Sequence, residues 1–195
     1  MEKPAVARNE QIEQILNRND KLACIELLAL DVDGVMTDGS IIIGQEDELG
    51  KHFNAHDGLG LSLAMRHGIQ VALITGRHSE IVLHRAMELG ISNVYENVTQ
   101  KGRVLGQIAE SLHIPMGHVA FMGDDLNDLP AFQRAAVSFA PQDAVPEVKE
   151  RAYYVTEKNG GCGAVREVCE KILKAKGVWN EIVEGYLQSG YGDKQ

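Results

Sequence analysis

The stretch Leu28-Ala-Leu-Asp31-Val-Asp33-Gly34 constrains this chain more than any other. An apolar run stops abruptly at two aspartates, one residue apart, and glycine follows at once. As a buried strand, it delivers both carboxylates at its C-terminal end. In open α/β sheets that edge is where ligands bind. Two carboxylates there can hold a divalent cation, and one can attack phosphorus or carbon.

The rest of the chain repeats the pattern. Glu26–Val32, Ile69–Ile74, Asn93–Tyr95, Val119–Met122 and Ala136–Phe139 read as short buried strands. Helical stretches separate them: Leu59–His67, Ser79–Leu89 with Gly90 as a stop, Lys101–Leu112, Asp128–Gln133, Val145–Arg151 and Ala164–Ala175. A further helical pattern covers residues 5–18, and Tyr153–Val155 adds an edge strand. Alternating strands and helices predict a Rossmann-like parallel sheet with helices on both faces. Ile41–Ile43 and His52-Phe53 flank a polar, Gly-bearing segment, which predicts a β-hairpin insertion over 40–54. One domain over 1–195 fits the length. The polar, Gly- and Tyr-containing segment 186–195 reads as a flexible C-terminal tail.

Composition excludes several partner classes. A net charge of −9 argues against nucleic-acid binding. No apolar run approaches the ~20 residues that a bilayer span needs. The start of the sequence is polar, with no apolar signal region, so a cytoplasmic location is expected. Cys24, Cys162 and Cys169 form no CxxC and have no zinc spacing, and read as reduced structural thiols.

Four polar signals fall at strand ends or helix starts: Asp31/Asp33, Thr75-Gly76-Arg77, Lys101, and Gly123-Asp124-Asp125-Leu126-Asn127-Asp128. A parallel sheet can bring all four to one pocket. Their chemistry suits a phosphomonoester, whose dianion must be neutralised before a nucleophile can approach. Hard oxygen ligands without His or Cys favour Mg²⁺. One aspartate can attack in line. A carboxyl two residues on can protonate the leaving alcohol and then activate water.

These motifs, in this order, resemble those of the haloacid dehalogenase superfamily over roughly residues 28–140. The resemblance implies Asp31 as nucleophile and Asp33 as general acid/base. It places Thr75 and Lys101 on the phosphoryl group. Asp31, Asp124 and the main-chain carbonyl of Asp33 would hold Mg²⁺. The superfamily places substrate-covering caps between the first and second motifs and between the second and third. Residues 34–74 and 76–100 leave room for neither, so a capless enzyme is expected. An open site invites cover from a neighbouring subunit.

Further motifs narrow the resemblance. Asp33–Gly39, Phe53-Asn-Ala-His-Asp-Gly58, Ile74–Arg77 and Gly160-Gly-Cys-Gly-Ala-Val-Arg-Glu167 are similar to those of the 3-deoxy-D-manno-octulosonate 8-phosphate (KDO 8-phosphate) phosphatases. That resemblance implies a phosphorylated sugar-acid substrate, a role in bacterial lipopolysaccharide biosynthesis and a homotetramer. Asn54, Ala55, His56, Asp57, Gly58, Ser62, Arg77, Arg85, Lys101 and Asn127 would line the substrate site with Asp33. The tail would reach a neighbour's active site. A related sugar acid, such as a nonulosonate 9-phosphate, fits the same motifs. A non-catalytic sugar-acid-binding or protein-interaction module is a further reading, opposed by the intact Asp31, Asp33, Lys101 and Asp124.

Other residues have plainer readings. Asp38 lies in a turn-prone Thr-Asp-Gly and reads as structural. Asp128 is expected to orient the metal shell or Lys101. Asp125 either ligates through water or caps the following helix. Arg77 and Arg85 suit bidentate carboxylate recognition, or are solvated helix charges. The Gly160–Gly163 run lacks the spacing of a phosphate loop and reads as a tight turn.

Overall fold

The computed structural model describes residues 20–44 and 48–189. Six parallel strands form one sheet: β1 (Leu27–Leu30), β4 (Gln70–Ile74), β5 (Asn93–Tyr95), β6 (Val119–Met122), β7 (Val137–Ala140) and β8 (Tyr154–Val155). Their order is β5-β4-β1-β6-β7-β8. The chain leaves β1 toward β4 and β5, then returns to β6 on the other side of β1. The strand order therefore reverses at β1, and the crevice beyond the strand ends opens there.

β1 is buried at all four positions, as a central parallel strand must be. Its side chains alternate between two cores. Leu28 and Leu30 face one side, packed with α1 (Ala55–Arg66), α2 (Glu80–Leu89) and α6 (Ala164–Ala175). Leu27 and Ala29 face the other, packed with α3 (Lys101–Ser111), α4 (Leu129–Phe132) and α5 (Pro146–Lys149). The doubly wound architecture expected from the alternation is present.

Three boundaries differ from expectation. The helix expected from Leu59 begins at Ala55, because Asn54 caps it by accepting the His56 N–H at 2.8 Å. Gly58 and Gly60 hid that start, being poor helix formers. Packing requires them: a Cβ on Gly58 would lie 2.5 Å from Arg85, and one on Gly60 3.1 Å from the Arg166 backbone. The hairpin pairs β2 (Ile42–Ile43) with β3 (Glu48–Gly50) rather than with His52-Phe53. Phe53 instead bridges Thr37. The segment read as a tail from Tyr186 is helical through Ser189, the end of α7 (Trp179–Ser189). Ile182 is buried, and the ring of Trp179 lies under the charges of Arg166 and Lys174 at 5.3 and 5.2 Å. These contacts anchor the helix. Residues 190–195 and the helical pattern at 5–18 lie outside the described residues.

Among the described residues, only the hairpin and α1 lie between β1 and β4, and only α2 and β5 lie between β4 and Lys101. The described residues of neither interval form a cap. Among the described residues, no helix is long and apolar enough to cross a membrane.

Candidate active site

The strand ends beside the switch point bring the expected groups together. Asp31 follows β1 and its N–H donates to Met122 at the end of β6. Thr75 follows β4, and its N–H donates to Tyr95 at the end of β5. Asp124 lies two residues beyond β6, and Lys101 opens α3 after β5. Asp31, Asp33, Thr75, Arg77, Lys101, Asp124, Asp125 and Asn127 line one cavity of about 260 Å³, with Ile41 of the hairpin at its rim.

Lys101 is 1% exposed. Its Nζ lies 2.8 Å from Asp31 Oδ1 and 2.6 Å from Asp128 Oδ1. Burial alone would lower the lysine pKa, but the two carboxylates outweigh it and hold Lys101 above its usual range. The ammonium is therefore charged. Asp128 uses its second oxygen to accept the N–H groups of Asp124 and Asp125 at 2.9 and 3.2 Å. With both oxygens engaged, Asp128 holds Lys101 and shapes the loop. Asp125 accepts the Leu126 N–H at 2.7 Å and caps the 3₁₀ turn Leu126–Asp128.

The carboxylates are electrostatically crowded. Burial, reinforced by Asp128 and opposed by Lys101, pushes Asp31 up to about 7. Burial, reinforced by Asp31 and Asp128, pushes Asp124 up to about 8. Oxygens of Asp31, Asp124 and Asp128 all lie within 4.8 Å of one another. Asp124 Oδ1 is buried without a hydrogen-bond partner. A divalent cation fits this set: it would satisfy the orphaned oxygen and favour the ionised carboxylates. Gly34 keeps the space clear, since a Cβ there would fall 2.1 Å from Asp124 Oδ2.

The Thr75 hydroxyl is buried and accepts the Arg77 N–H at 3.2 Å, which leaves its own proton to donate. Arg77 and Asn127 are exposed at the cavity rim.

Other expected substrate residues lie elsewhere in the protomer. Ala55 and Arg85 line a separate, broad cleft of about 630 Å³ with Phe53, Ile81, His84 and Glu88. Arg85 pairs with Glu88 at 2.7 Å and lies over the Phe53 ring. Ser62 faces a third depression beside Arg66 and Met87. His56 is exposed on the first turn of α1. Asp57 is buried and turned toward α6, where it accepts the N–H groups of Gly163 and Arg166 at 3.2 and 2.7 Å. Gly163 begins that helix without a side chain to cap it, so Asp57 caps it from a distance.

The Gly160–Gly163 run packs directly under the Asp33–Asp38 loop. The Gly161 N–H donates to Val35 O at 3.0 Å, and a Cβ on Gly160 would fall 1.8 Å from Gly34 O. The Gly160 and Gly163 N–H groups donate to Asp143 and Asp57, and the Cys162 N–H to Asn159 O. Asp38 accepts the Ser40 N–H and pairs with His52, consistent with its structural reading.

Sequence reasoning passed over Lys51 and Glu48. Lys51 Nζ sits 2.5 Å from Asp33 Oδ1 and 2.8 Å from Glu48 Oε1. The available signal was an acid and a lysine three residues apart in a hairpin arm, a spacing common on solvated surfaces.

Comparison with known proteins gives the family. Residues 87–168 match a family profile described as haloacid dehalogenase-like hydrolase. The 3-deoxy-D-manno-octulosonate 8-phosphate phosphatase KdsC of Escherichia coli K12 is 44% identical over 157 residues, 80% of this chain and 84% of that protein. The chain belongs to the KDO 8-phosphate phosphatase family.

Solved structures agree. The KDO 8-phosphate phosphatase of Moraxella catarrhalis, in complex with magnesium, phosphate and KDO, superposes with a TM-score of 0.85 at 39% identity. That match covers 87% of this chain and 98% of the other. The cobalt-bound phosphatase of Haemophilus influenzae gives a TM-score of 0.82 at 36% identity, covering 86% and 99%. The family fold is thus the haloacid dehalogenase fold, and the chain is a phosphoric monoester hydrolase.

Proposed function

We propose that this chain hydrolyses KDO 8-phosphate to KDO and inorganic phosphate with Mg²⁺ as cofactor, in the supply of KDO for lipopolysaccharide. The observation that carries the reading is the Asp31–Lys101–Asp128 triad beside the orphaned Asp124 oxygen, in a chain 44% identical to a phosphatase of that substrate.

Lys101, held by Asp31 and Asp128, presents a fixed positive charge to the phosphoryl oxygens, and Thr75 donates its hydroxyl proton to them. Asp31, with one oxygen on Lys101, uses the other to attack phosphorus. The P–O bond to the sugar breaks as the Asp31 O–P bond forms, and Asp33 gives its proton to the departing alkoxide. Asp33, now ionised, takes a proton from water as that oxygen attacks phosphorus. The Asp31 O–P bond then breaks, which releases phosphate. Asp31, Asp124 and the Asp33 carbonyl would hold Mg²⁺, which would supply charge neutralisation for phosphate and carboxylate.

The protomer leaves Arg85 and the Asn54–Gly58 segment away from Asp31, so we place them opposite a neighbour's Asp31 in a homotetramer. Exposed Ile43 and Leu49 on the hairpin support burial of that element in an interface. Arg77 and Arg85 then recognise the sugar carboxylate.

A phosphate-release assay with Mg²⁺ on a panel of sugar phosphates tests the reading. The highest kcat/KM is expected for KDO 8-phosphate, and activity is expected to vanish with chelation. A higher kcat/KM for a nonulosonate 9-phosphate would assign the alternative substrate.

A further inference from the structure

Lys51 follows the second hairpin strand and turns beneath the site, where its side chain is 1% exposed. A buried ammonium sacrifices hydration, a cost recovered only where carboxylates are well placed. Two are: Asp33 Oδ1 at 2.5 Å and Glu48 Oε1 at 2.8 Å. Glu48 also accepts a hydrogen bond from the Ser79 hydroxyl. Ser79 caps α2, the helix that follows the Thr75–Arg77 turn. A continuous polar chain, Asp33–Lys51–Glu48–Ser79, therefore joins the first motif, the hairpin and the second motif.

We infer that Lys51 is a positioning residue for the reaction, holding Asp33 Oδ1 so that Oδ2 faces the leaving oxygen and then the attacking water. The inference rests on Asp33 acting as the acid/base of the proposed phosphatase. Asp33 lines the cavity and its side chain is 22% exposed, whereas Lys51 is sealed from it and cannot touch substrate. Lys51 keeps its proton throughout, and the transferred proton moves only between Asp33 Oδ2, the leaving oxygen and water. Glu48 fixes Lys51 from the other side, so the ammonium cannot follow Asp33 if that side chain swings away. The hairpin therefore sets the aim of the proton carrier as well as the outer surface.

The test compares leaving groups. A sugar alkoxide needs protonation to depart, whereas p-nitrophenolate does not. Lys51→Met is expected to lower kcat on KDO 8-phosphate at least about tenfold, within the range acid catalysis contributes. KM should stay within about threefold, because Lys51 does not touch substrate. First-turnover release of p-nitrophenolate from p-nitrophenyl phosphate should stay within about threefold of wild type. Lys51→Arg should restore most of the lost kcat.

Equal losses on both substrates, or no loss on the sugar phosphate, would overturn the inference. If Lys51→Met fails to fold by circular dichroism, Glu48→Gln must show the same split in milder form, and an even loss there overturns it. Wild-type protein inert toward both substrates would instead remove the phosphatase reading, and the inference with it.

Discussion

Single side chains carry the chemistry, and their burial makes them testable. Asp31→Asn keeps an acceptor for Lys101 while removing the proposed nucleophile. Turnover should fall about 10³-fold or more, with no drop in Tm. Lys101→Met leaves Asp31 and Asp128 facing each other without a cation. It should cost roughly 3–5 kcal/mol as well as activity. The raised carboxylates also give a pH signature. Asp31 and Asp124 stand at about 7 and about 8 in the folded protein without metal. Unfolded, both titrate near 3.9. The folded chain thus holds the extra protons between about pH 4 and 8, and stability of metal-free protein falls as pH rises through that window. Added Mg²⁺ should raise Tm little at pH 5 and progressively more toward pH 8, measured by thermal unfolding with chelator or cation. A metal-induced shift that is flat with pH would contradict the assigned carboxylates. The four motifs were legible at this scale because each is polar at a strand end or a helix start. Lys51 was not, because its partner Asp33 lies 18 residues away and only the hairpin fold brings them together.

At the scale of elements, tertiary contacts decided what local pattern left open. The helix start at Ala55 was hidden because Gly58 and Gly60 interrupt the helical pattern of segment 54–66. The structure makes Asn54–Gly58 the first turn of α1, with Asp57 spent on the N-terminus of α6. Asp57→Ala should leave two buried N–H groups without an acceptor and cost about 2 kcal/mol. For a domain of this size that lowers Tm by roughly 4–8 °C, read by calorimetry. The strands and their order along the chain were readable from short apolar runs. The hairpin arm was misplaced by a few residues, since β3 carries Glu48 and Gly50 and lacks an apolar alternation. Helix α7 escaped notice because a Gly-Tyr pair inside it resembles a tail. Ile182 and Trp179 anchor it on contacts that no local pattern reports.

At the scale of the molecule, the protomer gathers the proposed reacting groups and leaves the proposed sugar-binding groups dispersed. The proposed tetramer unites them. Ile43 is 72% exposed, so Ile43→Lys should leave the protomer folded. Light scattering should then report a smaller assembly, with kcat/KM on KDO 8-phosphate reduced about tenfold or more. A tetramer of undiminished activity would show that the hairpin is not in the interface. The absence of a cap was legible from the intervals between motifs, because each has length only for the elements found there. The arrangement of subunits was not, since isolated exposed apolar residues carry no information about what covers them.

The central claim is that the carboxylate at the end of β1 takes the phosphoryl group from a phosphorylated sugar acid. Rapid acid quench of the enzyme turning over ³²P-labelled KDO 8-phosphate with Mg²⁺, followed by borohydride reduction and peptide mapping, tests it directly. The account predicts transient label on the protein, absent with chelator, and conversion of Asp31 to homoserine. Full turnover with no label on the chain, or label on another residue, would contradict it.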